Sequence, residues 1–149
     1  VSASDKIGIF GHGYTYTGHP VAAAVALEAL KIYEEIDIVQ RVPDLAPRLL
    51  AHVARLGEHP LVGEGRGVGL IGGLEIVRDK STRESIAPAL GVAAHVATCA
   101  RRRGVITRGQ NNTLMLCPPL IVTVSHIDEL FAAIEGALDE TLAWLRNRA

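Results

Sequence analysis

Apolar positions recur along the chain with two different periods. After Pro20 the run "VAAAVALEALKIYEEI" supplies strong helix formers without a break. A proline in the first helical turn loses nothing, because its missing N–H would have no partner there. A helix over about residues 20–36 is predicted. Val21, Ala24, Val25, Leu27 and Leu30 leave it little polar surface, so burial on most sides is expected. Leu45, Leu49, Leu50, Val53 and Leu56 then recur at helical spacing, and the pattern stops at Gly57 and Pro60. That predicts a second helix over about residues 43–57.

The period next shortens to two. In "RGVGLIGGLEIVRD", Val68, Leu70, Leu74 and Ile76 alternate with small or polar residues, predicting one half-buried strand. Gly72 and Gly73 mark a bulge or a close backbone approach within it. The proline-bearing "STRESIAPAL" reads as a surface connection. "GVAAHVATCARRRG" reads as a helix stopped by Gly104, with Arg101, Arg102 and Arg103 at the end where the helix dipole favours cations. "VITR" and "TLMLCPP" are short strands flanking the polar loop "GQNN", and sequence does not decide whether they pair as a hairpin. Ile127, Leu130, Phe131, Ile134, Leu138, Leu142 and Leu145 form the stripe of a last helix over about residues 126–147, with Ser125 and Asp128 as its capping box. Few strands and no βαβ glycine fingerprint predict an α+β fold, with helices packed on a small antiparallel sheet.

Composition narrows the function. A chain of 149 residues supports one ordinary core. With 15 basic against 16 acidic residues there is no net field to recruit nucleic acid or an anionic membrane, so neither is expected as a partner. No run approaches the roughly 18 apolar residues of a membrane span. "VSASDKIGIF" lacks the apolar centre of a secretory leader, and a chain opening on Val1 is expected to be a trimmed or partial product. Cys99 and Cys117 have no zinc-type spacing and are expected to be reduced, buried thiols of a cytoplasmic protein.

The candidate chemistry gathers in "GHGYTYTGHP", residues 11–20. His12 and His19 have no carboxylate or thiol beside them at ligand spacing, so no metal site is expected. No serine stands in a nucleophile elbow and no Cys–His pairing is implied. Glycines that admit backbone N–H groups, threonine hydroxyls and the positive end of the following helix suit an anion. The same residues would equally serve to shape a tight loop and cap a helix, and both readings stay open at this level.

"FGHGYTYTGHPVAAAVALEAL" closely resembles the segment that follows the catalytic lysine in class III (omega-type) aminotransferases, which use pyridoxal 5′-phosphate. "GRGVGLIGGLEI" resembles the strand that opens that family's small C-terminal domain, and "GVITRGQNNTLMLCPPLIVTVSHIDELFAAIEGAL" its closing strands and helix. The resemblance covers nearly the whole chain, in the family's order.

It implies the C-terminal small domain of a fold-type I pyridoxal-phosphate enzyme over residues 37–149, preceded over residues 1–36 by the end of the large cofactor-binding domain. It implies that Thr15, with the backbone at Tyr14, holds the cofactor phosphate of the neighbouring subunit in a homodimer whose active sites are shared. It implies that Arg108, nine residues before Cys117 of "CPP", binds a substrate carboxylate, although the family commonly places its glycine two positions later than Gly109. The lysine that attaches the cofactor is expected upstream of Val1, and Lys6 does not sit in its motif. The expected parent reaction moves an amino group from an amine or omega-amino acid to a keto acid. This chain alone is expected to be inactive, to hold the cofactor weakly, and to self-associate through its first helix or remodel it. The alternatives are a relative that performs amino shifts, decarboxylation or epimerisation, and a non-catalytic dimerisation or anion-binding module.

Overall fold

The computed structural model describes residues 13–147. Two compact units divide the chain, one ending at Ile36 and the other beginning at Asp37. Lys6 and His12 lie outside the described residues.

The first unit contains helix α1, Pro20–Glu35, with Pro20 in its opening turn as its sequence predicts. None of its residues is buried. Val21 is 66% exposed and Leu27 62%, so the expected burial is absent within this unit. The apolar pattern describes a helix to be covered, and the described residues of this unit supply no partner to cover it.

The second unit follows the order α2 (Ile38–Gly57), β1 (Val62–Val68), β2 (Ile71–Asp79), β3 (Glu84–Ser85), α3 (Val92–Arg102), β4 (Arg108–Gln110), β5 (Thr113–Leu116) and α4 (Val124–Arg146), with a single 3₁₀ turn at Pro88–Leu90. The sheet order is β1-β2-β5-β4, every pair is antiparallel, and β3 adds to β2. This is the α+β arrangement that the alternation of periods predicts.

Several details differ from the sequence expectation. Helix α2 begins at Ile38, five residues earlier, after Asp37, whose side chain accepts from the Gln40 N–H. Pro43 and Pro47 lie inside the helix, and both are exposed, so water can satisfy the carbonyls they deprive of a donor. The single expected strand is a hairpin: Val68 pairs with Ile71 across Gly69 and Leu70, and Gly69 takes a φ of 56°. Glycine first in a two-residue turn matches the twist of antiparallel strands. The bulge sits at Gly63 on β1 rather than at Gly72 or Gly73. Close approach does hold at Gly72, where an added Cβ would stand 3.1 Å from Val53 Cγ2 of α2.

"VITR" is not a strand as a whole. Pairing starts at Arg108, and Gly109 and Gln110 belong to β4, so the loop shrinks to Asn111 and Asn112. The undecided pair is therefore an antiparallel hairpin, with Asn111 at φ 52°. The capping box of α4 is Thr123 with His126: the Thr123 hydroxyl accepts the His126 N–H at 3.2 Å, and the Thr123 N–H donates to Nδ1 of His126. The helix thus starts two residues before its expected position.

One face of the sheet carries the core. Leu74 and Ile76 of β2 and Leu114 and Leu116 of β5 pack with Leu49 and Val53 of α2, Val96 and Cys99 of α3, and Phe131, Ile134 and Leu138 of α4. The predicted stripes of α2 and α4 are those buried, with Leu50, Leu130, Leu142 and Leu145 at their partly covered edges. Side-chain pairs join α2 and the turn after it to α4: Arg48 grips Asp128 through both carboxylate oxygens at 2.7 and 2.9 Å, Arg55 meets Glu135 at 2.5 Å, and His59, just past the helix, meets Asp139 at 3.3 Å. Partner numbers rise together, so the two helices run in the same direction.

Candidate functional site

Two places carry the sequence-predicted residues, one in each unit, and each is described within its own unit. In the first, Gly13–His19 forms the approach to α1. The Thr17 N–H donates to the Tyr14 carbonyl at 3.0 Å and the His19 N–H to that of Tyr16 at 3.2 Å, two successive tight turns. Tyr16 and Gly18 both adopt positive φ, 64° and 79°. For tyrosine this conformation is uncommon, and the glycine beside it absorbs the second reversal. His19 caps α1 without any side-chain hydrogen bond, which leaves the first-turn amides without a side-chain acceptor among the described residues.

Tyr14 and Thr15 are exposed on this turn, and the Thr15 hydroxyl has no partner among the described residues. A hydroxyl donor next to an uncapped helix N-terminus matches the chemistry of a phosphate, which wants several N–H and O–H donors and a positive dipole. The local residues therefore fit such a group.

The second place is an open cleft of about 710 Å³ in the second unit. Its walls come from Gly104–Arg108 ahead of β4, from Met115–Pro119 at the end of β5, and from Ile121, Val122, His126, Glu129 and Leu130 around the start of α4. Arg108 lies opposite Met115, Met115 opposite Gly73, and Gly73 opposite Arg66, so this row shares the sheet face turned away from the core. The lining is mainly aliphatic, with Ile106 83% and Ile121 68% exposed.

Within that setting the Arg108 guanidinium is exposed and forms no hydrogen bond or ion pair with the described residues. Its strand is held closely from the other side. A Cβ at Gly109 would stand 2.3 Å from both the carbonyl carbon and the oxygen of Ala93, so only glycine lets β4 lie against α3. Thr107 adds a second tie by donating its hydroxyl to the Met115 carbonyl at 2.5 Å. The glycine directly after Arg108 therefore has a packing reason to be where it is.

Other candidates resolve into structure. Arg102 and Arg103 share the Glu140 carboxylate, Arg103 at 2.7 Å, in accord with the structural reading of the arginine cluster. Arg103 in first place, with the Cys99 thiol and Arg102, holds Glu140 below its ordinary range. Cys99 is fully buried and burial pushes its thiol up, whereas Cys117 is exposed, contrary to expectation, because it follows the last paired residue of β5. His52 bonds Asp128 at 2.8 Å and stacks on Phe131, His95 stacks on Trp144 with Nδ1 3.0 Å from the Thr141 hydroxyl, and His126 closes its capping box. Among the described residues no three His, Cys, Asp or Glu side chains gather as a metal site would require.

Sequence reasoning missed two further polar members of the cleft, His126 and Glu129. No local signal marks them, since the fold brings the start of α4 beside residues that lie about two strands earlier in the chain.

A family model described as aminotransferase class-III matches residues 3–138 of this chain. Among curated proteins, gamma aminobutyrate transaminase 1 of Solanum lycopersicum, a mitochondrial protein, is 41% identical over 94% of this chain and 27% of its own length. The putrescine–pyruvate aminotransferase of Pseudomonas aeruginosa is 44% identical over 96% of this chain and 31% of its own length. Among solved structures, a transaminase with L-alanine matches with a TM-score of 0.81 at 44% identity, covering 97% of this chain and 34% of that one. A PMP-bound aminotransferase from Vibrio fluvialis matches with a TM-score of 0.81 at 36% identity, covering 95% and 31%. The chain thus spans less than a third of the curated relatives named here.

Proposed function

The chain belongs to the aminotransferase class-III family, and on that footing we propose that it forms the C-terminal part of an enzyme that moves an amino group from an amine or omega-amino acid to a keto acid. The observation that carries the proposal is Arg108, a guanidinium with no partner among the described residues, beside an apolar cleft large enough for a small organic acid. A planar guanidinium offers a carboxylate two parallel N–H donors, and the aliphatic walls limit competition from water.

In this reading residues 1–36 complete the large cofactor-binding domain and residues 37–149 form the small domain. Tyr14 and Thr15 hold the phosphate of pyridoxal 5′-phosphate in a homodimer with shared active sites, the Thr15 hydroxyl and the uncapped start of α1 providing donors. When bound, the cofactor supplies the electron sink that transamination needs. This chain's contribution is to anchor the phosphate and orient the substrate's carboxylate, while the lysine that attaches the cofactor belongs to the remainder of the complete enzyme. The chain alone neither transaminates nor retains the cofactor. A cytoplasmic location is part of the same proposal, to be checked by cell fractionation because plant relatives are mitochondrial or chloroplastic by name.

The test uses the complete enzyme with putrescine or gamma-aminobutyrate as donor and pyruvate as acceptor. A charged hydrogen-bonded contact contributes about 1.5–3 kcal/mol, so Arg108→Gln is expected to raise the pyruvate KM roughly tenfold to a hundredfold. The KM of putrescine, which has no carboxylate, should stay unchanged. A pyruvate KM that does not move removes Arg108 from the substrate site. Thr15→Ala is expected to weaken cofactor retention on dialysis, and full retention removes Thr15 from the phosphate site.

A further inference from the structure

We propose that Arg41 is a positioning residue for this cleft, and that the wall it holds selects the tail of a carboxylate substrate rather than its charged head. This inference rests on the reading of Arg108 given above and deepens it. Arg41 stands near the start of α2, and its side chain reaches the segment between β5 and α4. Nε donates to the Leu120 carbonyl at 3.2 Å, and Nη2 donates to the carbonyls of Ile121 at 3.4 Å and Val122 at 2.8 Å. Three consecutive carbonyls turn toward one cation.

That segment has little else to fix it. Pro118 and Pro119 carry no N–H, no strand among the described residues pairs with residues 117–123, and the backbone bond within it runs from the Val122 N–H to the Pro119 carbonyl at 2.9 Å. Val122 is buried, which anchors one end, but Leu120 and Ile121 are exposed. The guanidinium is thus the main polar tie on residues 120–122. Its delocalised plane can serve several carbonyls at once, which a lysine ammonium does less well.

Side chains of the same segment form a wall of the cleft: Pro118, Pro119, Ile121 and Val122. Arg108 enters from β4, which is held independently by β5 and by the contact of Gly109 with α3. The two arginines therefore act on different parts of one ligand. Arg108 takes the carboxylate, and Arg41 sets the position of an apolar wall against which an alkyl or aryl group would lie. The substrate class this favours is a 2-oxo acid with an alkyl or aryl tail. An acid as short as pyruvate does not depend on that wall.

The test compares pyruvate with 4-phenyl-2-oxobutanoate in the complete enzyme carrying Arg41→Met or Arg41→Lys. A wall displaced by an ångström is enough to lose binding geometry, so Arg41→Met is expected to raise the KM of the phenyl acid about tenfold, while kcat and the pyruvate KM stay within about twofold. Arg41→Lys should fall between, and it keeps the comparison open should the methionine variant misfold. Hydrogen exchange gives a second readout: the Val122 amide should exchange about tenfold faster in Arg41→Met and by an intermediate factor in Arg41→Lys, with β2 amides unchanged. Equal KM changes for the two acids, or a fall in kcat for both, would overturn tail selection. Unchanged Val122 exchange would overturn the clamp itself. Arg108→Gln separates the two readings, because it should raise the KM of both acids. If it moves neither while Arg41→Met still discriminates between them, the carboxylate role of Arg108 fails and the Arg41 clamp stands.

Discussion

Helices α1 and α4 are both rich in apolar residues, and they end differently. In its own unit α1 buries nothing, whereas α4 buries Ile127, Phe131, Ile134, Ala137 and Leu138. The patterns already differ. Apolar residues of α4 gather in a stripe with Asp128, Glu135, Asp139 and Glu140 alongside, while alanines, valines and leucines surround α1 and leave charge mainly to Glu28, Lys31, Glu34 and Glu35. A stripe is satisfied by one neighbouring layer, and a helix apolar all round requires neighbours on several sides. Burial therefore belongs to the partnership, and sequence declares only how many sides must be covered.

The largest effect that would test this contrast concerns assembly. The 149-residue chain is expected to self-associate through α1, with its average mass in sedimentation rising with concentration. Leu27→Glu with Leu30→Glu removes two leucines from such a contact, about 3–6 kcal/mol by area, and should return it to monomer. A dispersed monomer from the unaltered chain at every concentration would break the contrast.

Next comes packing. Phe131, fully buried and stacked on His52, should lose about 3–5 kcal/mol on truncation to alanine, while Leu27→Ala in α1 should stay within about 0.5 kcal/mol in the same urea unfolding of the second unit.

The smallest effect is electrostatic. Asp128 is lowered from its ordinary 3.8 to about 2, first by the Arg48 hydrogen bond and then by that of His52. A carboxyl lowered on folding contributes stability above its unfolded value and loses it as the pH falls through the folded one. The Tm difference between the unaltered chain and Asp128→Asn should therefore be present at pH 5 and shrink between about pH 4 and pH 2. A difference undiminished at pH 2 would deny the pairing.

Much of the second unit was legible from local pattern. Leu45, Leu49, Val53 and Leu56 mark the inner face of α2, and the stripe of α4 marks its own, because a helix repeats its buried side within a few residues. The hairpin between β1 and β2 was not, since Val68, Leu70, Leu74 and Ile76 keep an even spacing across the turn and the alternation reads as one strand. Pro43 concealed the start of α2 for a related reason: it resembles a boundary but sits inside the helix on its exposed side. Arg108 could be singled out only through family resemblance, because a lone arginine in a short strand carries no pattern. Arg41 was invisible altogether, its three acceptors lying about eighty residues away as carbonyls that any side chains could bear.

The pairs that tie α2 and the turn after it to α4 share one more property. Arg48 with Asp128, Arg55 with Glu135 and His59 with Asp139 are each separated by 80 positions. A constant offset works like the teeth of two racks moving side by side. Residues gained or lost in the chain between the helices would change the offset and leave the teeth meshed. One residue inserted between Arg48 and Arg55 would turn the rest of α2 by about 100° and unmesh every later pair. Inherited length changes should therefore collect in the connections, and α2 and α4 should tolerate indels within their paired stretch only when both change in step.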